Sequence, residues 1–295
     1  MESGVRVGEV RYPGFPGSGA GLSDPALRVA FFALPYNQAR GTAPSLYARD
    51  AAGNEAQAQF EHRIFPKVFR TSRIPIDDTF LSRVVPAILQ GSPQLNASPT
   101  DLLPSFLKIN NDLRRINNET IAALARKTSP TILWDGAFQS LGGSQVETSF
   151  ADFRTYLYGG KEVDRQVHLG FDLAKTANSD VTAANSGKVV YAADLGIYGN
   201  CVVLDHGMGV QSLYAHLSSI GVREGEDVRK GQVLGKSGQT GLAGGDHLHF
   251  SMLLSGQFVN ATEWWDSHWI EDRIVRKLRE SGASLAGASV QPAKP

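Results

Sequence analysis

The chain has 295 residues, of which 42% are hydrophobic and 20% charged, and its 29 basic residues balance its 29 acidic residues. This composition is typical of a globular protein and excludes a disordered chain, a coiled coil or a collagen-like fibre. Because the formal charge is zero, no net basic field is available to attract nucleic acid, and we expect no nucleic-acid partner.

The cysteine content and the apolar runs restrict the class of protein further. A single cysteine, Cys201, excludes an internal disulfide and a cysteine-only metal site. Apolar runs such as 29–34 are far shorter than the roughly 18–20 residues of a membrane span, so we expect no transmembrane segment. Residues 1–5 lack the basic start and apolar core of a secretory signal. The sequence as given therefore indicates a cytosolic protein or one whose export segment has been removed.

Residues 1–66 are predicted to form a small β-sandwich-like accessory module. The stretch 27–32 has β character, and segments 45–49 and 56–62 flank a turn at 50–54. Two apolar runs around such a turn predict a hairpin.

Residues 67–129 are predicted to be a helical linker region. Asp77 or Asp78 is placed to cap a helix that ends near Gln90. Apolar residues at helical spacing predict a second helix over 106–124. We expect the asparagines of this second helix to be solvated: Asn110, Asn111, Asn117 and Asn118.

Residues 130–281 are predicted to form a separate, mainly β domain. Glycines separate five short β-type runs: 186–192, 200–206, 210–217, 227–235 and 247–254. The connections are too short for helical crossovers, so we expect antiparallel sheets. Residues 262–281 are predicted to be a closing helix, and the small-residue-rich stretch 282–295 a flexible tail.

Histidines occur in strand-like patterns within this domain. In segment 167–173 apolar residues alternate with His168, Gly170 and Asp172. A period of two predicts that His168 and Asp172 leave the same face of one strand, with free space above Gly170.

Two further segments repeat this alternation. In 247–252 both His247 and His249 share a face with Ser251, and in 213–217 Tyr214 shares a face with His216. If these faces lie in one sheet, four imidazoles and a carboxylate converge, which are suitable ligands for Zn²⁺.

The alternative is that these histidines are ordinary polar groups. A lone histidine on a strand is more often a satisfied core or surface group than a metal ligand, and a His-x-His pair alone is a weak signal. Three such segments in one chain arise by accident far less often. A catalytic zinc takes three protein ligands and keeps one position for water, so the five groups divide into three ligands and two further histidines.

The motifs resemble those of the lysostaphin-type, LytM-domain zinc endopeptidases that cut peptidoglycan cross-bridges. Six separated segments match in order and spacing: HLGFD at 168–172, LDHGMG at 204–209, LYAHL at 213–217, VRKGQVLG at 228–235, GQTG at 238–241 and HLHF at 247–250. The resemblance covers roughly residues 145–262. It implies that residues 130–281 are a zinc metallopeptidase domain with an antiparallel, LytM-like fold.

The resemblance also implies roles for particular residues. His168, Asp172 and His249 would hold the zinc, and His216 and His247 would be the unligated catalytic histidines. Two residues would contact the substrate groove: Tyr214 would orient His216 or line the groove floor, and Gly241 would lie in the glycine-rich loop that edges the groove. His206 would be structural. The chain departs from the family at Ser251, where glutamate is common, and at Asp246.

The implied function is hydrolysis of peptidoglycan stem peptides, and we expect cleavage of a D-alanyl–diamino-acid bridge rather than a glycine bridge. Such a substrate places the enzyme in the periplasm or cell envelope, where further partners are possible. The main alternative is a non-catalytic LytM-like regulator that binds peptidoglycan or activates a cell-wall amidase. A biotinyl- or lipoyl-type carrier is disfavoured because the modified lysine in its usual setting is missing.

Overall fold

The structure, a computed structural model, describes residues 1–39, 41–65 and 67–283. The predicted tail lies outside the described residues from position 284 onwards.

The N-terminal segment is a four-stranded sheet with a two-stranded ribbon. Its strands are β1 (Glu2–Val7), β2 (Val10–Pro13), β3 (Phe15–Pro16), β4 (Arg28–Val29), β5 (Ser45–Arg49) and β6 (Glu55–Gln59). The sheet has the order β2-β1-β5-β6, and β3 pairs with β4. The predicted hairpin is confirmed by β5 and β6, whose turn is closed by the Asn54 amide donating to Asp50 Oδ1 over 2.9 Å. Within the predicted strand at 27–32, Arg28 and Val29 form the short strand β4.

The next segment contains a strand and three helices. They are β7 (Thr71–Ile76), α1 (Asp78–Gln90), α2 (Leu102–Lys108) and α3 (Arg114–Leu124). The carboxylate of Asp77 caps α1 by accepting a hydrogen bond of 2.8 Å from the Phe80 amide, as the sequence predicted. A π-helical turn, Ile109–Leu113, connects α2 to α3 and completes the predicted second helix.

The remaining strands are β8 (Gln145–Thr148), β9 (Asp152–Tyr158), β10 (Lys161–His168), β11 (Phe171–Ala174), β12 (Asp180–Thr182), β13 (Gly187–Asp194), β14 (Asn200–Gly207), β15 (Val210–Leu217), β16 (Ser219–Ile220), β17 (Asp227–Val228), β18 (Val233–Lys236), β19 (Leu248–Leu254) and β20 (Gln257–Val259). The largest sheet has the order β17-β13-β14-β15-β19-β11-β8, with β20 beside β19. Smaller sheets are β10-β9-β7 and β12-β18-β16. Apart from the parallel pair β7 and β9, the pairs are antiparallel, which confirms the predicted mainly β, antiparallel fold.

The large sheet is buried on both faces, and each face packs against a different part of the chain. Tyr214 and Phe250 point to one face, where they share a core with Val5 and Val7 of the N-terminal sheet. The opposite face packs against the helices: Leu213, Ala215 and Leu253 share a core with residues of α1 and α3, such as Leu81, Val85 and Ile121. The stretch 67–129 therefore contains a strand as well as the expected helices, and these helices share a core with the large sheet. The domain boundaries stay a prediction.

The predicted closing helix at 262–281 is interrupted. It consists of α4 (Ala261–Trp265), α5 (Ser267–Ile270), a π-helical turn Glu271–Val275 and α6 (Arg276–Glu280). The interruption falls at Asp266, whose carboxylate accepts hydrogen bonds from the His268 and Trp269 amides and so starts a new helix. Within the described ranges, every helix is too short or too polar to cross a bilayer.

Candidate metal centre and active site

Strands from two sheets bring His168, Asp172 and His249 together. His168 is the last residue of β10, Asp172 lies in β11 and His249 in β19. Asp172 is the direct cross-strand partner of His249 in the large sheet. All three side chains are buried.

Three side-chain atoms converge on one point. His168 Nε2 lies 2.9 Å from Asp172 Oδ1 and 2.9 Å from His249 Nδ1, and His249 Nδ1 lies 3.1 Å from Asp172 Oδ1. Ligand atoms of a tetrahedral zinc site are about 3.3 Å apart, given metal–ligand distances near 2.0–2.2 Å. The spacing therefore fits one zinc ion bound by these three atoms.

The hydrogen bond of Ser251 fixes which nitrogen of His249 faces this point. Ser251 Oγ donates its hydrogen to the Leu169 carbonyl over 2.9 Å, so it must accept from His249 Nε2 over 3.0 Å. Nε2 then carries the imidazole hydrogen, and Nδ1 presents a lone pair. The Ser149 carbonyl lies 3.4 Å from His168 Nδ1 and can only accept a hydrogen bond. It therefore favours the hydrogen on Nδ1 and a lone pair on His168 Nε2.

Two imidazole lone pairs and a carboxylate oxygen thus face one another with no hydrogen between them. Such an arrangement is repulsive unless a cation lies among the three atoms. The donor set therefore fits a zinc ion by its chemistry as well as by its distances.

The path of the chain through this site differs from the sequence prediction. His168 and Asp172 do not share one strand, because β10 ends at His168 and β11 begins at Phe171 in another sheet. The chain bends at Leu169 and Gly170, so the apolar alternation splits: Phe171 enters the core, whereas Leu169 lines the cavity of the metal site. The juxtaposition follows from this bend between two sheets, which period-two alternation does not encode.

Gly170 is required by the packing at this bend. A Cβ atom there would lie 2.5 Å from His249 Nε2 and 2.6 Å from Ser251 Oγ. The free space predicted above Gly170 is therefore filled by the hydrogen-bonded pair that orients a proposed ligand.

The two remaining predicted histidines lie beside the same cavity. His216 Nδ1 is held by the Thr240 carbonyl over 2.8 Å, and His247 Nδ1 by the Gly245 carbonyl over 2.9 Å. Their ring centroids are 4.9 Å apart, and His247 Nε2 is 3.4 Å from Asp172 Oδ1. Because carbonyls only accept, each neutral ring carries its hydrogen on Nδ1 and leaves Nε2 as the basic nitrogen.

The interpretation of Tyr214 as a groove residue is wrong. His216 has a left-handed φ of 62°, which breaks the alternation of β15, so Tyr214 and His216 lie on opposite faces of the sheet. The Tyr214 hydroxyl accepts hydrogen bonds from the Ala184 amide at 2.7 Å and from Ser212 Oγ at 2.9 Å. Tyr214 therefore belongs to the core on the far face of the large sheet.

Gly241 supports the site without lining it. Its φ is +68°, and a Cβ atom would lie 2.4 Å from the Gly199 amide nitrogen. The loop thus packs backbone against backbone, while the following residue, Leu242, reaches the cavity. His206, predicted to be structural, is buried and bonds Ser186 and Ser212 away from this cavity.

Burial and the neighbouring histidines determine the protonation states of Asp172, His216 and His249. Burial opposes ionisation of Asp172, yet the surrounding histidines, His168 above all, hold the pKa of its carboxyl well below the ordinary value. Burial lowers the pKa of His249 to about 4. It also lowers the pKa of His216, an effect to which His247 and His249 add. His216 and His249 are therefore neutral near pH 7, the state in which an imidazole can accept a proton or bind a metal ion.

The sequence interpretation missed five polar or aromatic cavity residues: Arg114, Asn118, Arg154, Tyr156 and Tyr198. Arg154 Nη2 donates to Asp172 Oδ2 over 3.0 Å, and its Nε lies 3.4 Å from buried Asp152, which also accepts from Ser72. These residues come from β9, α3 and a loop outside the motifs, so no local pattern pointed to them.

Comparison with known proteins finds a family match over the stretch that contains His168, Asp172 and His249. Residues 166–261 match the sequence profile of Peptidase family M23. The chain is 41% identical over 95 residues to the DD-carboxypeptidase/endopeptidase Mpg of Neisseria meningitidis, covering 32% of this chain and 22% of that protein. It is 39% identical over 94 residues to the peptidoglycan DD-endopeptidase ShyA of Vibrio cholerae, again covering 32% and 22%. The chain spans about a fifth of the length of these relatives.

A solved structure matches over most of the chain. The crystal structure described as an M23 peptidase from Pseudomonas aeruginosa has 21% identity and a TM-score of 0.53, covering 90% of this chain and 88% of that one. This likeness shows a shared fold that includes the segments before residue 130. The resemblance predicted from the motifs is confirmed: residues 166–261 match the sequence profile of peptidase family M23.

Proposed function

We propose that the protein is a zinc-dependent endopeptidase that hydrolyses peptide cross-links of bacterial peptidoglycan, of the D-alanyl type, in the periplasm or cell envelope. The observation that carries the proposal is the convergence of three lone-pair donors, His168 Nε2, Asp172 Oδ1 and His249 Nδ1, in a cavity that holds two further histidines. The similarity to two proteins named as DD-endopeptidases supports the substrate class.

Zinc, when bound by the three ligands, would supply Lewis-acid activation of water and of the scissile carbonyl. His216 and His247 would move the protons, because each presents Nε2 while its Nδ1 is fixed by a backbone carbonyl. One histidine takes a proton as water attacks, and the other donates a hydrogen bond to the developing oxyanion or a proton to the leaving amine.

The surroundings of the ligands keep them in position. Arg154 holds the second carboxylate oxygen of Asp172, so that Oδ1 stays directed at the two imidazoles. Tyr198 packs edge-on against the His249 ring, with centroids 5.6 Å apart, and its hydroxyl donates to Asn118 over 2.8 Å. Fixed ligands of this kind lower the reorganisation needed during the reaction.

The proposal is tested by digestion of purified peptidoglycan sacculi. We expect peptide release that a chelator abolishes and that zinc restores. His247→Ala should retain one zinc per chain but lose cleavage, whereas the matched variant His62→Ala, at an exposed site, should behave like the wild type. Loss of zinc in His247→Ala would contradict the division between ligands and catalytic histidines. A fully zinc-loaded wild type that releases no peptide would favour the non-catalytic regulator.

A further inference from the structure

Arg114 lines three neighbouring cavities, one of which is the cavity of the proposed metal site. The cavity that holds the histidines, about 110 Å³ in volume, adjoins two outer cavities of about 460 and 430 Å³. Arg114, Asn118 and Leu169 border all three. We call these three cavities the substrate groove.

The other arginines of the substrate groove are neutralised by carboxylates. Each has an oxygen close by: Arg115 at 2.8 Å from Glu119, Arg154 at 3.0 Å from Asp172, and Arg165 at 2.6 Å from Glu162. Among the residues that the structure describes, no carboxylate lies within 4.0 Å of the Arg114 guanidinium. Arg114 is therefore the groove arginine whose positive charge is left uncompensated in the described part of the chain.

Arg114 is also held in place by a neutral partner. Its Nε donates to the Asn110 carbonyl over 3.1 Å, and its Nη2 to Asn110 Oδ1 over 2.5 Å. Asn110 is fully buried and donates in turn to Asp164 over 2.7 Å. The remaining hydrogens of Nη1 and Nη2 are available to a ligand, and a guanidinium fixed in this way is suited to a carboxylate.

We infer that Arg114 binds a free carboxylate of the substrate, on the residue that supplies the amine of the scissile bond. This inference rests on the proposed function and deepens it. When a diamino diacid is linked to D-alanine through the amine of one of its α-centres, the carboxylate of that centre stays free beside the scissile nitrogen. The interior bonds of a glycine bridge have no such carboxylate. Arg114 therefore makes the enzyme selective for the D-alanyl–diamino-diacid bridge.

The test uses two synthetic cross-linked peptides that differ in this one group, a carboxylate in the first and a carboxamide in the second. We expect the wild type to cleave the carboxylate peptide with a kcat/KM about 10- to 100-fold higher, as one charge-assisted interaction provides. Arg114→Gln should lose this preference and cleave the two peptides with similar kcat/KM. Arg114→Lys should keep part of it, and Arg126→Gln, an exposed arginine outside the groove, should keep all of it.

Binding and zinc content separate this inference from the proposed function. The same preference should appear in the Kd of the two peptides for zinc-loaded His247→Ala, and it should vanish when Arg114→Gln is added. Arg114→Gln should retain its zinc. Equal loss on both peptides, or no discrimination by the wild type in binding, would overturn the role of Arg114. Selective binding without cleavage by the wild type would instead overturn the proposed function and leave the carboxylate site standing.

Discussion

At the scale of single residues, the orientation of His249 depends on one hydroxyl group. The Oγ of Ser251 accepts a hydrogen bond from His249 Nε2 while donating one to the Leu169 carbonyl. This arrangement leaves His249 Nδ1 as the free nitrogen. Removal of a group that is hydrogen-bonded to a metal ligand typically lowers the affinity for the metal 10- to 100-fold.

We therefore expect Ser251→Ala to weaken zinc binding by about 10- to 100-fold, because the His249 ring loses the partner that fixes its tautomer. Competition with a chromophoric chelator measures the affinity. Ser82→Ala, at an exposed position of α1, is the control. Unchanged zinc affinity in Ser251→Ala would show that the tautomer is set by another group.

Gly170→Ala should also reduce zinc binding, by displacing His249. The added Cβ would lie 2.5 Å from His249 Nε2 and 2.6 Å from Ser251 Oγ, distances that require one of the two side chains to shift. Zinc content and the midpoint of thermal unfolding are the measurements. Gly142→Ala is the matched control, since a Cβ at Gly142 meets nothing within 4 Å. Normal zinc content in Gly170→Ala would contradict the close packing at the bend.

Residue types and spacing predicted the five groups of the site, the family resemblance divided them into ligands and catalytic histidines, and backbone conformation decided the rest. His168, Asp172 and His249 do come together, but through a bend of the chain between two sheets, whereas the alternation predicted that His168 and Asp172 share one strand. Tyr214 was misassigned because the left-handed conformation at His216 reverses the expected face. A positive φ at a non-glycine residue is imposed by tertiary packing and has no sequence pattern.

At the scale of elements, helix α3 supports one wall of the cavity. The predicted solvation of Asn110 and Asn117 is wrong, because both side chains are buried. Asn117 Oδ1 accepts a hydrogen bond from the Ile197 amide over 3.0 Å. Gly196, in the same loop as Ile197, also packs against the Asn117 side chain. Tyr198, two residues further along, lines the cavity. The contact joins a helix to a loop about 80 residues away, so helical periodicity alone could not show it.

Asn117→Ala should lower the free energy of unfolding by about 1–3 kcal/mol, since it leaves a buried amide without its acceptor. Urea denaturation of the zinc-loaded protein measures this change. Asn96→Ala, at an exposed loop position, should change it by less than about 0.5 kcal/mol. Equal effects of the two substitutions would show that the helix does not hold the loop.

Local signals predicted the elements best where their caps or turns lie in the adjacent sequence. The start of α1 at Asp77 and the turn between β5 and β6 are examples. The break of the closing helix at Asp266 was missed, although aspartate followed by serine is a possible helix start. The parallel pairing of β7 with β9 depends on contacts about 80 residues apart, which no local pattern encodes.

At the scale of the whole molecule, the buried histidine of the core links stability to pH. Burial lowers the pKa of His206 from 6.5 to about 4. Between these values the unfolded chain binds more protons than the folded one. The contribution of neutral His206 to stability is therefore complete above about pH 6.5 and is lost as the pH falls towards 4.

His206→Gln should flatten the pH dependence of the free energy of unfolding between pH 4 and 6.5, by up to about 3 kcal/mol over the interval. Denaturant titrations of the two proteins at several pH values provide the comparison. The difference between them isolates this residue from the histidines of the metal centre. A difference that does not change with pH would contradict the buried, neutral state of His206.

The measurement that tests the central claim most directly is the position of zinc in a crystal, located by anomalous diffraction at the zinc absorption edge. We expect one peak within about 2.0–2.2 Å of His168 Nε2, Asp172 Oδ1 and His249 Nδ1, with His216 and His247 outside bonding distance. A peak elsewhere, or one bound by His216 or His247 in place of any of these three, would contradict the account.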